Sequence, residues 1–156
     1  MTNLAYHLAQ VNVARMLAPL ESDLMAGFVA RLDDINALAD AAPGFVWRLQ
    51  TGDGNATYLR PYDDERILFN LSVWESLEAL RAFVYRSNHS AVMRRRLLWF
   101  ERPDQMHLAL WWVPAGHIPS VEEAKTKLEL LRTHGATAES FTFQQPFPVS
   151  LAAGAG

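Results

Sequence analysis

The sequence predicts an α+β protein, a ferredoxin-like β-α-β-β-α-β sandwich with an extra C-terminal helix. Two patterns and one absence carry that expectation. Four stretches alternate with period two, which marks strands. The runs between the first and second, and between the third and fourth, recur at steps of three and four, which marks helices. No linker and no short-period repeat divides the chain. Residues 1–150 therefore read as one domain and 151–156 as a disordered tail.

The first strand is Tyr6 to Val13. His7, Ala9, Val11 and Val13 lie on one face, and Leu8, Gln10 and Asn12 on the other. The more apolar face is expected inward. Gln10 and Asn12 are unusual on a buried surface, so their face is expected to meet water or a partner subunit. Ser22 to Ala41 is an amphipathic helix through Leu24, Phe28, Val29, Leu32, Ile35 and Leu38. Glu21, Ser22 and Asp23 supply its start signals. Pro43-Gly44 stops it, because proline bars further helix and glycine tolerates positive φ.

Phe45 to Gln50 is a short strand, and Thr51 to Arg66 a long polar connection. Ile67 to Glu75 is the clearest strand. Ile67, Phe69, Leu71 and Val73 face one way, and Leu68, Asn70, Ser72 and Trp74 the other. Ser76 caps a helix with the stripe Leu77, Leu80, Phe83 and Val84. Ser87-Asn88 marks a kink, after which Val92, Met93, Leu97 and Phe100 continue the helix to Pro103. His107 to Val113 is the last core strand, with Trp111 and Trp112 on opposite faces. Ser120-Val-Glu-Glu123 is a capping box, in which Ser120 accepts the N3 amide and Glu123 reaches back. Its helix ends before Gly135, and Ser140 to Gln144 adds a short edge strand.

A four-stranded sheet with helices on one face has a second face to cover. A homodimer pairing sheet against sheet would do so, closing a dimeric α/β barrel. The C-terminal extension of the same chain is the other cover.

Half of the 156 residues are apolar, enough for a sizeable core. Fourteen basic against 17 acidic residues leave a charge of −3, which gives no pull toward nucleic acid or anionic lipid. Without cysteine, disulfides, thiolate metal sites and cysteine nucleophiles are excluded. No apolar run approaches the roughly 20 residues of a bilayer span, and the first residues lack the regions of a signal peptide. The expected setting is the cytoplasm. His7 and His117 have no metal-ligand spacing around them, and there is no phosphate loop and no Gly-x-Ser-x-Gly.

At NLSVWESLEALRAFVYRSNH the chain resembles the dimeric α/β barrel superfamily, which includes antibiotic-biosynthesis and haem-degrading monooxygenases. FVYRSNH, RRRLLWFE and LWWVPAGHIPSVEEA resemble more closely an uncharacterised bacterial domain family within it, over about Leu4 to Phe147. The resemblance implies two site patterns. In the cofactor-free quinone-forming monooxygenases an Asn and a Trp four residues apart on one strand line the cavity, which Asn70 and Trp74 match. An arginine assists there, and Arg81, Arg86 and Arg94 are on offer. In the haem-degrading branch an Asn on the first strand, a Trp on the third and a helical His form the site. Asn12, Trp74 and His89 have those types on those elements.

The chemistry explains the residue types. Triplet dioxygen reacts slowly with closed-shell organic molecules, but a phenolate or enolate can pass it one electron without a metal. The protein then supplies a base or oxyanion stabiliser and a dry cavity. Asn70 can bind a substrate oxygen, Trp74 can serve as wall or donor, and His89 as general base. Asn12, Phe83, Arg94 and Trp112 are the expected substrate-binding residues. The expectation is a cofactor-free enzyme for an aromatic or enolisable apolar substrate. One alternative is a haem protein with His89 on the iron. The other is a non-catalytic small-molecule-binding dimer. Each residue also has a plain structural use: Asn70 in a sheet hydrogen bond, Trp74 in packing, and His89 as a solvated or capping group.

Overall fold

The computed structural model describes residues 5–49, 62, 64, 66–86 and 96–149. Its elements are β1 (Tyr6–Arg15), α1 (Ala26–Ala41), β2 (Phe45–Arg48), β3 (Ile67–Trp74), α2 (Leu77–Arg86), β4 (Leu108–Pro114) and α3 (Val121–His134). Short 3-10 turns stand at Asp23–Met25 and Arg96–Leu98. The strands form one antiparallel sheet in the order β2-β3-β1-β4. That is the ferredoxin-like α+β sandwich the alternation predicts.

The helix boundaries follow the sequence signals. α1 ends before Pro43-Gly44, and Gly44 adopts φ 82°. A Cβ there would stand 2.5 Å from the Ala79 Cβ, so the turn also lets β2 approach the start of α2. Ser76 Oγ accepts the Ala79 amide at 3.1 Å and caps α2.

Both sheet faces are covered by this chain. Ala9, Val11, Val13, Phe69, Leu71, Val73, Ala109, Trp111 and Val113 form the back face. Ala124, Leu128 and Leu131 of α3 pack on it, fully enclosed. Of the two covers open from the sequence, the C-terminal extension is the one observed. The front face meets α2 and the end of α1 through Leu8, Trp74, Leu80, Phe83 and Leu110. Polarity predicted that the strand face carrying Gln10 meets water or a partner; instead Gln10 is enclosed, while Asn12 on the same face is half-buried. Gln10 is 4% exposed, between Leu8 and Asn12 on the front face of β1.

After α3 the chain crosses the β4 edge. Phe141 and Leu110 exchange two backbone hydrogen bonds of 2.8 Å, a single bridge where a short edge strand was expected. Phe141, Phe143 and Phe147 then join the front cluster.

Two local expectations are corrected. Ser120 Oγ does accept the Glu123 amide at 3.0 Å, but the Glu123 carboxylate does not close the box. It bonds Trp111 Nε1 at 2.9 Å and His117 Nε2 at 2.7 Å, tying α3 to β4. A charge-assisted pair of contacts replaces one contact to the backbone. The helix expected through Leu97 and Phe100 is also absent over its described part. Leu17 N bonds Trp99 O, and Glu101 N bonds Arg15 O, so the end of β1 takes the backbone groups a helix would use. Leu97 and Leu98 are left 45% and 59% exposed. The kink at Ser87-Asn88 and the tail at 151–156 lie outside the described residues.

His107, half-buried before β4, is held below the ordinary histidine pKa by burial and then by the charges of Arg96 and Arg132. Its neutral form is favoured in the fold. That contribution is complete above about pH 6.5 and is lost as the pH falls through the lowered value. Thermal unfolding should show Tm declining below about pH 6.5, with a smaller decline in His107→Gln. Leu128→Ala should leave a cavity between α3 and the sheet and cost roughly 2–5 kcal/mol, measured as a lower urea midpoint.

Candidate functional site

Antiparallel pairing puts polar residues at the centre of the front face. Gln10 stands opposite Ser72, and Asn12 opposite Asn70. On the other side of β1, Leu110 faces Gln10 and Leu108 faces Asn12. The four polar side chains form a strip between two apolar clusters. One holds Leu8, Trp74, Phe83 and Leu110. The other holds Met16, Met25, Phe28 and Trp99, with Leu68 and Phe100 against it. In that second cluster Phe28 meets Trp99 at 5.8 Å and Phe100 edge-on at 5.1 Å.

The strip is one hydrogen-bonded relay. Gln10 Nε2 donates to Asn70 Oδ1 at 2.6 Å and to Ser72 Oγ at 2.8 Å. Gln10 Oε1 accepts from Asn12 Nδ2 at 3.0 Å. Ser72 Oγ also accepts Trp74 Nε1 at 2.9 Å. Gln10 thus uses both donors and its carbonyl inside the relay. A buried amide needs such partners, because an unmet polar group costs about 1–3 kcal/mol. Burial falls off along the strip: Trp74, Ser72 and Gln10 are enclosed, Asn12 is half-buried, and Asn70 is exposed. Among the described residues, Asn70 Nδ2 and Asn12 Oδ1 have no further partner.

Trp74 anchors the closed end. It stacks on Phe83 at 5.1 Å and 30°, and meets Phe45 edge-on at 5.4 Å. Its N–H is committed to Ser72, so it reaches the open rim only through the relay. Trp112 lies on the same face, and its Nε1 donates to Phe147 O at 2.8 Å. Arg81 turns away, onto the Phe143 ring and carbonyl. The Arg86 side chain, His89 and Arg94 lie outside the described residues.

Asn12, Asn70, Trp74 and Phe83 are therefore brought together, as parity proposed for Asn70 and Trp74. The relay also needs Gln10 and Ser72, which were not among the expected site residues. Parity places Ser72 beside Asn70, but Gln10 joins them only through the β1–β3 register. Among the described residues no charged side chain belongs to the relay, so it acts by directed dipoles. Among the described residues no group of three His, Asp or Glu could hold a metal ion. Among them, too, no helix is long and apolar enough to cross a membrane.

Fold and strip together define a ferredoxin-like α+β protein with a neutral amide relay on its helix-covered face. The chain belongs to the family described as Domain of unknown function (DUF3291), whose model matches residues 7–154. Solved structures similar to it include SnoaB, a cofactor-independent oxygenase from Streptomyces nogalater. It is 17% identical with TM-score 0.48, over 73% of this chain and 97% of that one. A second is NE2512, a protein of unknown function from Nitrosomonas europaea, 14% identical with TM-score 0.46, over 76% and 99%. A third, assigned as an antibiotic biosynthesis monooxygenase, comes from Chloroflexus aurantiacus J-10-fl. It is 15% identical with TM-score 0.41, over 74% and 98%. No curated protein matches the chain.

Gln10→Ala would leave Ser72, Asn70 and Asn12 short of partners and open a small void. It should lower stability by about 1–3 kcal/mol in denaturant titration, more than Asn70→Ala, which removes an exposed side chain.

Proposed function

We propose that the chain is a small-molecule enzyme that binds an aromatic or enolisable apolar substrate at the open end of the relay. The observation that carries this reading is the enclosed Gln10 amide, which holds an exposed Asn70 between two clusters rich in aromatic side chains. The arrangement suits oxyanion stabilisation. Gln10 fixes Asn70 by its carbonyl, leaving the amino group to donate to a substrate oxygen. Donation into Asn70 Oδ1 also polarises that amide and strengthens the outward N–H.

The reaction we propose is oxygenation without a bound cofactor. A base removes a proton from an activated CH2 group, and the enolate or phenolate oxygen rests on Asn70. The carbanionic carbon bonds to dioxygen, giving a hydroperoxide once a proton is returned. Loss of water leaves C=O where CH2 stood, so CH2 and O2 become C=O and H2O. His89 is the proposed base, with Arg94 proposed on the substrate oxygens. Trp74 takes a positioning role through Ser72, and Phe83 supports its ring.

The test is dioxygen uptake with a hydroxyanthrone-type substrate, with one labelled oxygen sought in the product. Wild-type protein should consume one dioxygen per product. Asn70→Ala should lower kcat/KM by about 10²–10³-fold, the usual loss for one oxyanion donor. His89→Ala should abolish the acid-side limb of the pH profile, where the rate rises as the base loses its proton. Unchanged turnover in Asn70→Ala would sink the role given to that residue. A Soret shift on adding haem that is lost in His89→Ala would replace this reading with the haem one.

A further inference from the structure

Gln10 has one donor end and one acceptor end, and each is held by a different rim residue. Its Nε2 serves Asn70 Oδ1, and its Oε1 takes Asn12 Nδ2. Asn70 is left presenting an amino group, and Asn12 a carbonyl. Turning the Gln10 amide over reverses both. Asn70 would then donate inward and present its carbonyl, while Asn12 would accept inward and present its amino group. Ser72 accommodates either sense, because a hydroxyl can donate to Gln10 as well as accept, and the Trp74 N–H meets its oxygen in both. The rim therefore always carries one donor and one acceptor. They stand on residues directly opposed across β1 and β3, where Cβ atoms lie roughly 4.5–5.5 Å apart.

Resting on the reading of this strip as a ligand site, we propose that Asn12 and Asn70 recognise a flat ligand edge carrying a hydrogen-bond donor beside an acceptor. The matching chemistry is an N–H or O–H next to a C=O, as in a lactam or a hydroxy-enone. Gln10 is the positioning residue that keeps the two rim amides in opposite senses. A carboxylate edge, with two acceptors, would set an oxygen against the carbonyl of one rim residue. A ligand with a methyl group in place of the donor hydrogen would leave that carbonyl dry and unpaired. The clusters holding Phe83 and Phe28 flank the strip and favour a planar, apolar body behind the polar edge.

Isothermal titration of the full chain with three probes tests this: 1(2H)-isoquinolinone, its N-methyl derivative and 1-naphthoate. The lactam should bind about tenfold or more tightly than either of the others. In Gln10→Leu both rim amides turn freely, so the ratio of lactam to N-methyl affinity should fall toward one. A merely structural role for Gln10 would weaken both ligands and leave that ratio in place. Where Gln10→Leu does not fold, Asn12→Leu gives the same reading from a half-buried position by deleting one rim amide. Equal wild-type affinities, no binding of any probe, or a ratio unchanged in the folded variants would overturn the inference. Dioxygen uptake on a hydroxyanthrone without lactam discrimination would overturn it alone and leave the oxygenase reading standing. Discrimination without uptake on any enolisable substrate would do the reverse.

Discussion

The hydrogen bonds of the Gln10 side chain are the constraint on which the centre of this structure depends. β1 is the inner strand shared by β3 and β4, and Gln10 sits midway along it. An amide enclosed there is tolerable only if its partners are supplied in fixed positions. Ser72 and Asn70 supply them from β3, and Asn12 from β1 itself. A slip of β1 by one residue against β3 would carry Gln10 and Asn12 to the back face, against Leu128 and Leu131, and leave Ser72 and Asn70 behind on the front. The relay and the register therefore enforce each other.

The covers on the two faces make this enclosure possible. α3 closes the back with small and branched residues, and the Glu123 carboxylate clamps it through Trp111 and His117. The chain then rounds β4 and returns Phe141 and Phe147 to the front. Trp112, next to Trp111 in sequence, is fastened on that opposite side by Phe147 O. One pair of adjacent tryptophans thus pins the C-terminal extension to both faces of the same strand.

Much of the fold was legible in the chain because its signals are local. Alternation marked the four strands, and Pro43-Gly44 and Ser76 marked helix ends within a residue or two. The parity of β3 alone put Asn70, Ser72 and Trp74 on one face. The unread part of the site is non-local. Gln10 meets Asn70 across 60 positions of sequence, and polarity made its face look like one meeting water. The capping box failed for the same kind of reason, since the partners that draw Glu123 away lie outside the four-residue motif. The helix expected through Leu97 lost its backbone partners to Arg15 and Leu17, some eighty positions earlier.

Stability alone gives little reason for the strip. Apolar residues at all four positions of the strip would extend the front apolar surface from Leu8 toward Leu68 and join two clusters the relay keeps apart. Exchanging a satisfied polar network for well-packed apolar residues is often neutral or stabilising. What the relay adds is direction. It fixes the rotation of two rim amides, one half-buried and one exposed, and it does so through neutral side chains. A charged group at the rim would bind any counter-ion, whereas opposed neutral dipoles reward only an edge of matching sense. The energetic worth of Gln10 therefore lies in which molecules the rim accepts more than in how firmly the sheet is held.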